Sequence, residues 1–176
     1  FAAFDDVVIV FAEPRNENFR WIASRGGKLN ESGLSDAERA EFIIDIGGAA
    51  IVNPSSPIVD RTAAEPKLVF FNNGTHLYQI QQTGPTAYAA TNLVSGVGGD
   101  PAQLMLSGDH YYWVADFSGP GGSTRQLART DRATTAVSFT FTTAEASNPQ
   151  NLTDVAGTLF YTSAGTGENL LYRLEG

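Results

Sequence analysis

The chain has 176 residues, with 19 acidic side chains against 11 basic ones and a formal net charge of −8. Such a surface repels phosphate backbones and argues against nucleic-acid binding, and no apolar run approaches the roughly 18 residues of a membrane span. Cysteine is absent, which excludes thiolate zinc sites, thiol nucleophiles and disulfides. Abundant glycine and proline, without a long apolar helical stretch, favour short strands joined by tight turns.

Four stretches of the chain each have the pattern of two strands joined by a turn. In residues 67–84, "KLVFFNNGTHLYQIQQTG", an Asn-Gly turn stands between apolar runs, which is the strongest short hairpin signal. In residues 7–27, Pro14 and Asn16 make the turn between two similar runs. The four predicted hairpins begin near the following residues: Val7, Lys67, His110 and Thr158.

Further strand-like runs connect these hairpins. In residues 136–143, Val137, Phe139 and Phe141 alternate with polar residues, as in a half-buried strand. Residues 33–42, "GLSDAERAEF", have a capping-box spacing and predict instead one or two helical turns. The other predicted connecting strands are 41–47, 86–94, either 49–54 or 56–60, 102–106 and 150–155.

The hairpins repeat with a period of about 48 residues. Residues 101–131 align with residues 149–176 if one gap precedes the glycine of the turn. We therefore predict an all-β fold resembling a β-propeller, with four repeat units of three to four antiparallel strands in one domain; a β-sandwich is the alternative. The aligned pairs are Pro101 with Pro149, Leu104 with Leu152, Gly108 with Gly157, Tyr112 with Tyr161 and Ala115 with Ala164. The predicted units are approximately 1–47, 48–95, 96–143 and 144–176.

Residues 151–176, "NLTDVAGTLFYTSAGTGENLLYRLEG", resemble the extracellular propeller repeats that are described by an ELWxxDGT motif. The family's tryptophan is absent here, and Leu171 and Tyr172 take its place. The resemblance implies a secreted or cell-surface scaffold without a common enzymatic reaction. The matching residues are Asn151, Leu152, Thr153, Val155, Gly157, Thr158, Leu159 and Phe160.

The fourth unit is one strand short of a four-stranded unit. Residues 1–6, "FAAFDD", are the candidate to complete it, but the first unit would then lack its innermost strand. Three interpretations stay open: a three-stranded unit, a piece of a larger propeller, or an edge that a neighbouring subunit completes by strand addition. The chain begins with Phe1 instead of Met, which fits a processed secreted protein and equally fits a sequence that is part of a longer chain.

Aromatic residues are the candidate ligand-binding groups, because exposed Trp and Tyr rings stack on sugars. The alternative is that these rings fill the core between the sheets. The candidates are Trp21, Tyr78, Tyr112 and Trp113. Three Asn-x-Ser/Thr sites are candidate glycosylation sites: Asn30, Asn73 and Asn151.

No catalytic residues are predicted. Ser107, Asp109 and His110 lie close in sequence, but on one strand Ser107 and His110 would point to opposite faces. We interpret this stretch as a polar turn that enters a strand. Two histidines without cysteine argue against a transition-metal site, and no loop offers enough carboxylates for calcium, so neither a metal nor a cofactor is expected.

The predicted function is that of an extracellular structural or interaction module, secreted or at the cell surface, and not an enzyme. It would assemble with itself through the incomplete terminal unit by β-strand addition. The alternative is a carbohydrate-binding, lectin-like propeller. The expected partners are other copies of the chain, or a surface protein or glycan, and the protein would insert into no membrane.

Overall fold

The computed structural model of the chain is all-β in the residues that it describes. Within them no helix has the length and apolarity that a membrane span requires. The chain forms two compact units, one of Phe1–Asn73 with Tyr78–Asn92 and one of Gly74–Leu77 with Leu93–Gly176. The described residues are 2–4, 7–12, 20–25, 45–46, 49–50, 53–62, 66–84, 87–119, 122–133, 137–139, 148–164 and 169–174, and the described side chains all lie between 53 and 174.

The first sheet lies in the N-terminal part of the first unit. It has three antiparallel strands in the order β1-β2-β3, which confirms the hairpin predicted from Val7. Its strands are β1 (Ala2–Phe4), β2 (Val7–Ala12) and β3 (Arg20–Arg25). A separate two-stranded ladder follows, made of β4 (Asp45–Ile46) and β5 (Ala49–Ala50).

Two predictions for this part of the chain are corrected by the strand pairing. The run 41–47 was predicted to be a strand of the first unit, which has its hairpin at Val7, but its described part, Asp45–Ile46, pairs locally with β5. Only Gly47 and Gly48 separate the two strands in sequence, and a Gly-Gly link favours a local hairpin over a distant pairing. Residues 2–4 pair with β2, so this strand belongs to the first sheet and does not complete the fourth. The helical turns predicted at 33–42 lie outside the described residues.

The second sheet has four strands in the order β6-β7-β8-β9. Of the two predicted alternatives for its first strand, 56–60 is the one that forms it. The Asn-Gly turn is also present, with Asn73 at a φ of 53° and Gly74 at 62°, and Asn and Gly adopt this left-handed conformation more readily than other residues. The strands are β6 (Ser55–Asp60), β7 (Lys67–Asn72), β8 (His76–Gly84) and β9 (Ala87–Ser95).

The third and fourth sheets make up most of the second unit. The third sheet has the order β10-β11-β12-β13 and the fourth the order β14-β15-β16, with antiparallel pairing throughout. The third-sheet strands are β10 (Gly99–Ser107), β11 (His110–Gly119), β12 (Gly122–Asp131) and β13 (Val137–Phe139). The fourth-sheet strands are β14 (Pro149–Val155), β15 (Thr158–Ala164) and β16 (Asn169–Leu174).

The first strand of each of these last three sheets carries the same irregularity. In β10, Ala102 pairs with Val114 and Met105 pairs with Tyr112, so two residues stand opposite the single residue Trp113. The first of the two, Gln103, has a left-handed φ of 55°. This is a β-bulge, in which one extra residue bends the strand and increases its twist.

Equivalent bulges occur in β6 and β14. Ser56 in β6 has a φ of 51° and lies opposite Phe70, while Asn151 in β14 has a φ of 54° and lies opposite Tyr161. The residue opposite the bulge is therefore a buried aromatic ring in all three sheets. A second left-handed residue precedes each bulge by three positions and is followed by proline: Asn53-Pro54, Asp100-Pro101 and Asn148-Pro149.

The bulges define which residues of the third and fourth sheets are equivalent. Gln103 corresponds to Asn151, and the pairs that follow make Trp113 equivalent to Tyr161 and Tyr112 equivalent to Phe160. The sequence alignment, which placed Tyr112 on Tyr161, was wrong by one residue.

The error comes from the two turns, each of which has two residues between the paired strand ends. Glycine takes the first position in Gly108-Asp109 but the second in Ala156-Gly157. The backbone supports the corrected alignment, in which Gly108 is equivalent to Ala156. Each of these two residues is the first of its turn and has a left-handed φ. Aligning the glycines therefore shifts the second strand by one residue, which exchanges its two faces.

The core of the second unit lies between the third and fourth sheets. Tyr112, Val114 and Leu127 of the third sheet pack there in one buried cluster with Leu152, Leu159 and Tyr161 of the fourth. The partly buried residues Met105, Tyr172 and Leu174 pack against this cluster. The turns of the two sheets also approach each other, since a Cβ atom on Gly108 would lie 3.4 Å from the carbonyl oxygen of Gly157.

One hydrogen bond joins the two sheets at the bulges. The backbone N–H of Leu152 donates to Oε1 of Gln103 over 3.3 Å. We expect Gln103→Ala to lower the free energy of unfolding by about 1 kcal/mol, because a partly buried N–H loses its acceptor. Gln103→Glu is the matched control, since it keeps the shape and an acceptor oxygen. Chemical denaturation measures both variants, and equal losses for Ala and Glu would contradict a role for this bond.

Candidate functional site

The structure buries two of the four predicted ligand-binding rings. Trp113 is 0% exposed and its indole N–H donates to the carbonyl oxygen of Val97 over 2.9 Å, while Tyr112 is 1% exposed. Neither ring offers a face to a sugar in solvent, which agrees with the alternative that these rings fill the core. Tyr78 is partly exposed and stacks on Phe70 with ring centroids 6.1 Å apart.

The remaining predicted site residues are placed as follows. Trp21 lies on β3 and pairs with Phe11, and its side chain is outside the described part of the chain. Asn73 is exposed at the tip of the β7–β8 turn. Asn151 is exposed in the bulge of β14, where its Nδ2 donates to Oγ1 of Thr162 over 2.9 Å. Asn30 lies outside the described residues. Glycosylation and sugar binding stay predictions.

The hairpin at residues 107–110 brings together residues that the sequence analysis kept apart. Ser107 ends β10 and His110 begins β11, so the two are cross-strand partners and share a face of the third sheet. Tyr112 follows on the same face, with its ring centroid 5.9 Å from that of His110. The predicted polar turn that enters a strand is confirmed, since Gly108 and Asp109 form the turn before β11. The opposite-face argument does not apply, because Ser107 and His110 lie on two paired strands and not on one. Asp109 in the turn forms an ion pair with Arg132 over 3.4 Å.

Three polar atoms of this polar cluster (Ser107, His110 and Tyr112) have no hydrogen-bond partner among the described residues. They are Oγ of Ser107, Nδ1 of His110 and the hydroxyl of Tyr112, and all three atoms are buried. Ser107 and His110 are not hydrogen-bonded to each other, so the geometry does not give a serine activated by a base. Nor do the described residues contain a group of three or more His, Asp or Glu side chains that could hold a metal ion.

Removing an unpartnered hydroxyl from this cluster should stabilise the fold. We expect Ser107→Ala and Tyr112→Phe each to raise the free energy of unfolding by about 1 kcal/mol, because a desolvated polar atom without a bond opposes folding. Trp113→Phe is the contrasting variant, since it removes an N–H that is bonded, and it should lower stability. Thermal and denaturant unfolding measure all three. A loss of stability in Ser107→Ala and Tyr112→Phe would show that these hydroxyls are bonded in solution.

The strongest candidate for an interaction surface is the outer face of the fourth sheet. We call the set Val155, Phe160, Thr162 and Leu171 the fourth-sheet outer face; its members lie on the side opposite Leu159 and Tyr161, because strand residues alternate and paired residues share a face. Leu171 is 70% exposed and Val155 is 54% exposed. Thr153, Thr158 and Arg173 lie on the same face, so the exposed apolar side chains Val155 and Leu171 stand in a surface of mixed polarity.

Each member of this face has an equivalent in the third sheet that is buried. Leu171 pairs with Thr162 as Leu127 pairs with Val114, and Leu127 is only 3% exposed. Val155 pairs with Thr158 as Ser107 pairs with His110, and Ser107 is 2% exposed. In the third sheet, Tyr112, Val114 and Leu127 pack against the fourth sheet. Their equivalents in the fourth sheet are Phe160, Thr162 and Leu171, of which Leu171 is exposed and the other two are partly buried.

The outer edge of β16 is a second candidate feature. In the third sheet, β12 occupies the same position and pairs with β13 through Ala128, Arg129 and Thr130. The equivalent residues of β16 are Tyr172, Arg173 and Leu174, and none of the described strands pairs with them on that side. A strand at the edge of a sheet can accept a further strand through backbone hydrogen bonds.

The opposite face of β16 contributes to the core. The ring of Tyr172 stacks on Tyr161, with centroids 5.3 Å apart and planes 17° from parallel. Burial raises the pKa of Tyr161, and the neighbouring Tyr172 adds to this rise. β16 is therefore held from one side by packed aromatic rings and presents its edge and its other face outward.

Sequence reasoning predicted that the fourth unit is one strand short, as its described residues are, but it did not predict the exposure of Val155 and Leu171. Leu171 was noted only as the residue in place of the family's tryptophan, and Val155 only as a match to the repeat. The alignment of Pro101 with Pro149 and Leu104 with Leu152 was correct, and the error entered only with the gap before the turn glycine, which the register does not need.

Comparison of the chain with protein-family models, with curated proteins and with solved structures gives no match.

Proposed function

We propose that the protein is a non-enzymatic structural and interaction module of β-propeller type that assembles with copies of itself. The repeated sheet, with a bulge opposite a buried aromatic ring, supports the propeller-like architecture. Propellers are built by repeating small antiparallel sheets that pack face to face, as the third and fourth sheets do. The resemblance of residues 151–176 to extracellular propeller repeats and the Asn-x-Ser/Thr sites support an extracellular location.

The observation that carries the assembly proposal is the outer edge of β16, with which no described strand pairs. The third sheet has a fourth strand at this position, and the fourth sheet has none among the described residues. A strand from a second copy, added antiparallel at Tyr172–Leu174, would give the fourth sheet the same four-strand plan. Its backbone hydrogen bonds would extend the antiparallel ladder of the fourth sheet by one strand.

Amide hydrogen exchange tests this strand addition directly. We expect alternate amides of Leu170–Leu174 to exchange at least about tenfold more slowly when the protein concentration is raised from dilute to assembling conditions, because outward-pointing N–H groups gain acceptors. Residues 137–139 of β13 are the internal control, since this strand also lies at the outer end of its sheet. Exchange of the β16 amides that does not change with concentration would overturn strand addition.

A further inference from the structure

The turn between β7 and β8 contains the only Asn-Gly pair in the sequence, Asn73-Gly74. We infer that Asn73 is a site of spontaneous covalent modification, at which deamidation through a cyclic imide converts the asparagine to isoaspartate and aspartate. The inference goes beyond the proposed function, because the reaction needs neither a partner nor an assembled state.

The reaction uses only these two residues and water. The backbone nitrogen of Gly74 loses its proton and attacks Cγ of Asn73, so a bond between the two atoms closes a succinimide ring. The bond between Cγ and Nδ2 of Asn73 breaks, and the amide nitrogen takes up the proton and leaves as ammonia. Water then opens the ring at one of its two carbonyl carbons. Opening at Cγ gives aspartate, and opening at the main-chain carbonyl gives an isoaspartyl linkage that runs through the side chain.

The structure gives this turn the room that ring closure requires. Asn73 is exposed, and a Cβ atom placed on Gly74 would lie 3.9 Å from Cδ of Pro101, the nearest described atom beyond the adjoining residues. The peptide between Asn73 and Gly74 must rotate out of its left-handed conformation before the ring can close. Gly74 has no side chain to oppose that rotation.

Two other exposed asparagines have the same left-handed backbone but a different following residue. Asn53 has a φ of 42° and Asn148 a φ of 56°, and both are exposed. Each is followed by a proline, Pro54 or Pro149. A proline nitrogen carries no hydrogen to lose, so the imide does not form at these two positions.

Asn151 is a third comparison, because there both reacting groups are hydrogen-bonded. Its Nδ2 donates to Oγ1 of Thr162 over 2.9 Å. The following backbone nitrogen, that of Leu152, donates to Oε1 of Gln103 over 3.3 Å. Rotation of this peptide would break the hydrogen bond that joins the third and fourth sheets. The left-handed backbone is thus shared by all these asparagines, and the residue that follows distinguishes Asn73.

Deamidation changes the turn in three ways. An isoaspartyl linkage adds a backbone carbon to the connection between β7 and β8. Either product adds a negative charge to a chain whose formal net charge is already −8. Asn73 is also a candidate glycosylation site, and a residue without its amide nitrogen cannot carry an N-linked glycan. The modification therefore removes that site.

Peptide mapping of the folded, unglycosylated protein tests the inference. The protein is incubated in mildly alkaline buffer made with heavy-oxygen water and then digested at acidic pH, and mass spectrometry follows each asparagine. We expect Asn73 to convert at least about tenfold faster than Asn53, Asn148 or Asn151, because only Gly74 combines a backbone N–H with the absence of a side chain. The product at Asn73 should contain isoaspartate and one heavy oxygen atom.

Two variants separate the chemistry from other properties of the turn. Gly74→Asn keeps a residue that tolerates the left-handed conformation but adds a side chain, and it should slow conversion of Asn73 at least about fivefold. Thr75→Ala is the matched control, since it leaves the Asn-Gly pair intact and should keep the rate within about twofold. Circular dichroism checks that both variants fold.

Three results would overturn the inference. The first is conversion of Asn73 no faster than that of the three comparison asparagines, and the second is a product without isoaspartate. The third is conversion in urea-unfolded protein but not in the folded protein, because the folded turn would then protect the residue.

Discussion

The register set by the bulges is the constraint on which the second unit depends. The extra residue in β10 and in β14 sets the register, and the register decides which side chains lie on each of the two faces of the sheet. Because both sheets carry the bulge at the same place, their faces are alike in order and can stack. The left-handed backbone of Gln103 and Asn151 costs conformational free energy. Burial of the aromatic rings of Trp113 and Tyr161, which lie opposite the two bulges, offsets this cost.

The third and fourth sheets repeat the same strand plan, but equivalent residues of the two sheets differ in solvent exposure. The third sheet gives Leu127 and Tyr112 to a contact that the fourth sheet completes. The fourth sheet offers Leu171 and Phe160 at the same positions, and Leu171 is exposed. Burial of a leucine is favourable by about 1.5–3 kcal/mol. Covering Leu171 as Leu127 is covered would therefore stabilise the fourth sheet.

Much of the fold could be predicted from the sequence because its signals are local. The Asn73-Gly74 turn, the alternation around Val137 and the paired hairpins each depend on residues that are near neighbours, and the structure confirms them as strands and turns. The partner of the Asp45–Ile46 strand was not predicted, because a strand can pair with a neighbour in sequence or with a distant one. In the structure it pairs with Ala49–Ala50, two residues further along the chain. The closed propeller, the extracellular location and the family resemblance stay predictions.

The site was harder to predict, and the reasons are geometric. Trp113 and Tyr78 are equally aromatic in the sequence, but only the fold buries the first and leaves the second partly exposed. Ser107 and His110 were separated because the turn at Gly108 was not counted when faces were assigned. Exposure of Leu171 depends on whether another sheet covers it, which a single sequence does not state.

The central claim is that the fourth sheet is completed by another copy of the chain. Multi-angle light scattering of the wild-type protein across a dilution series tests it most directly. The account predicts a mass that exceeds the 18.8 kDa of one chain and rises with concentration. A single species of 18.8 kDa at every concentration would contradict it.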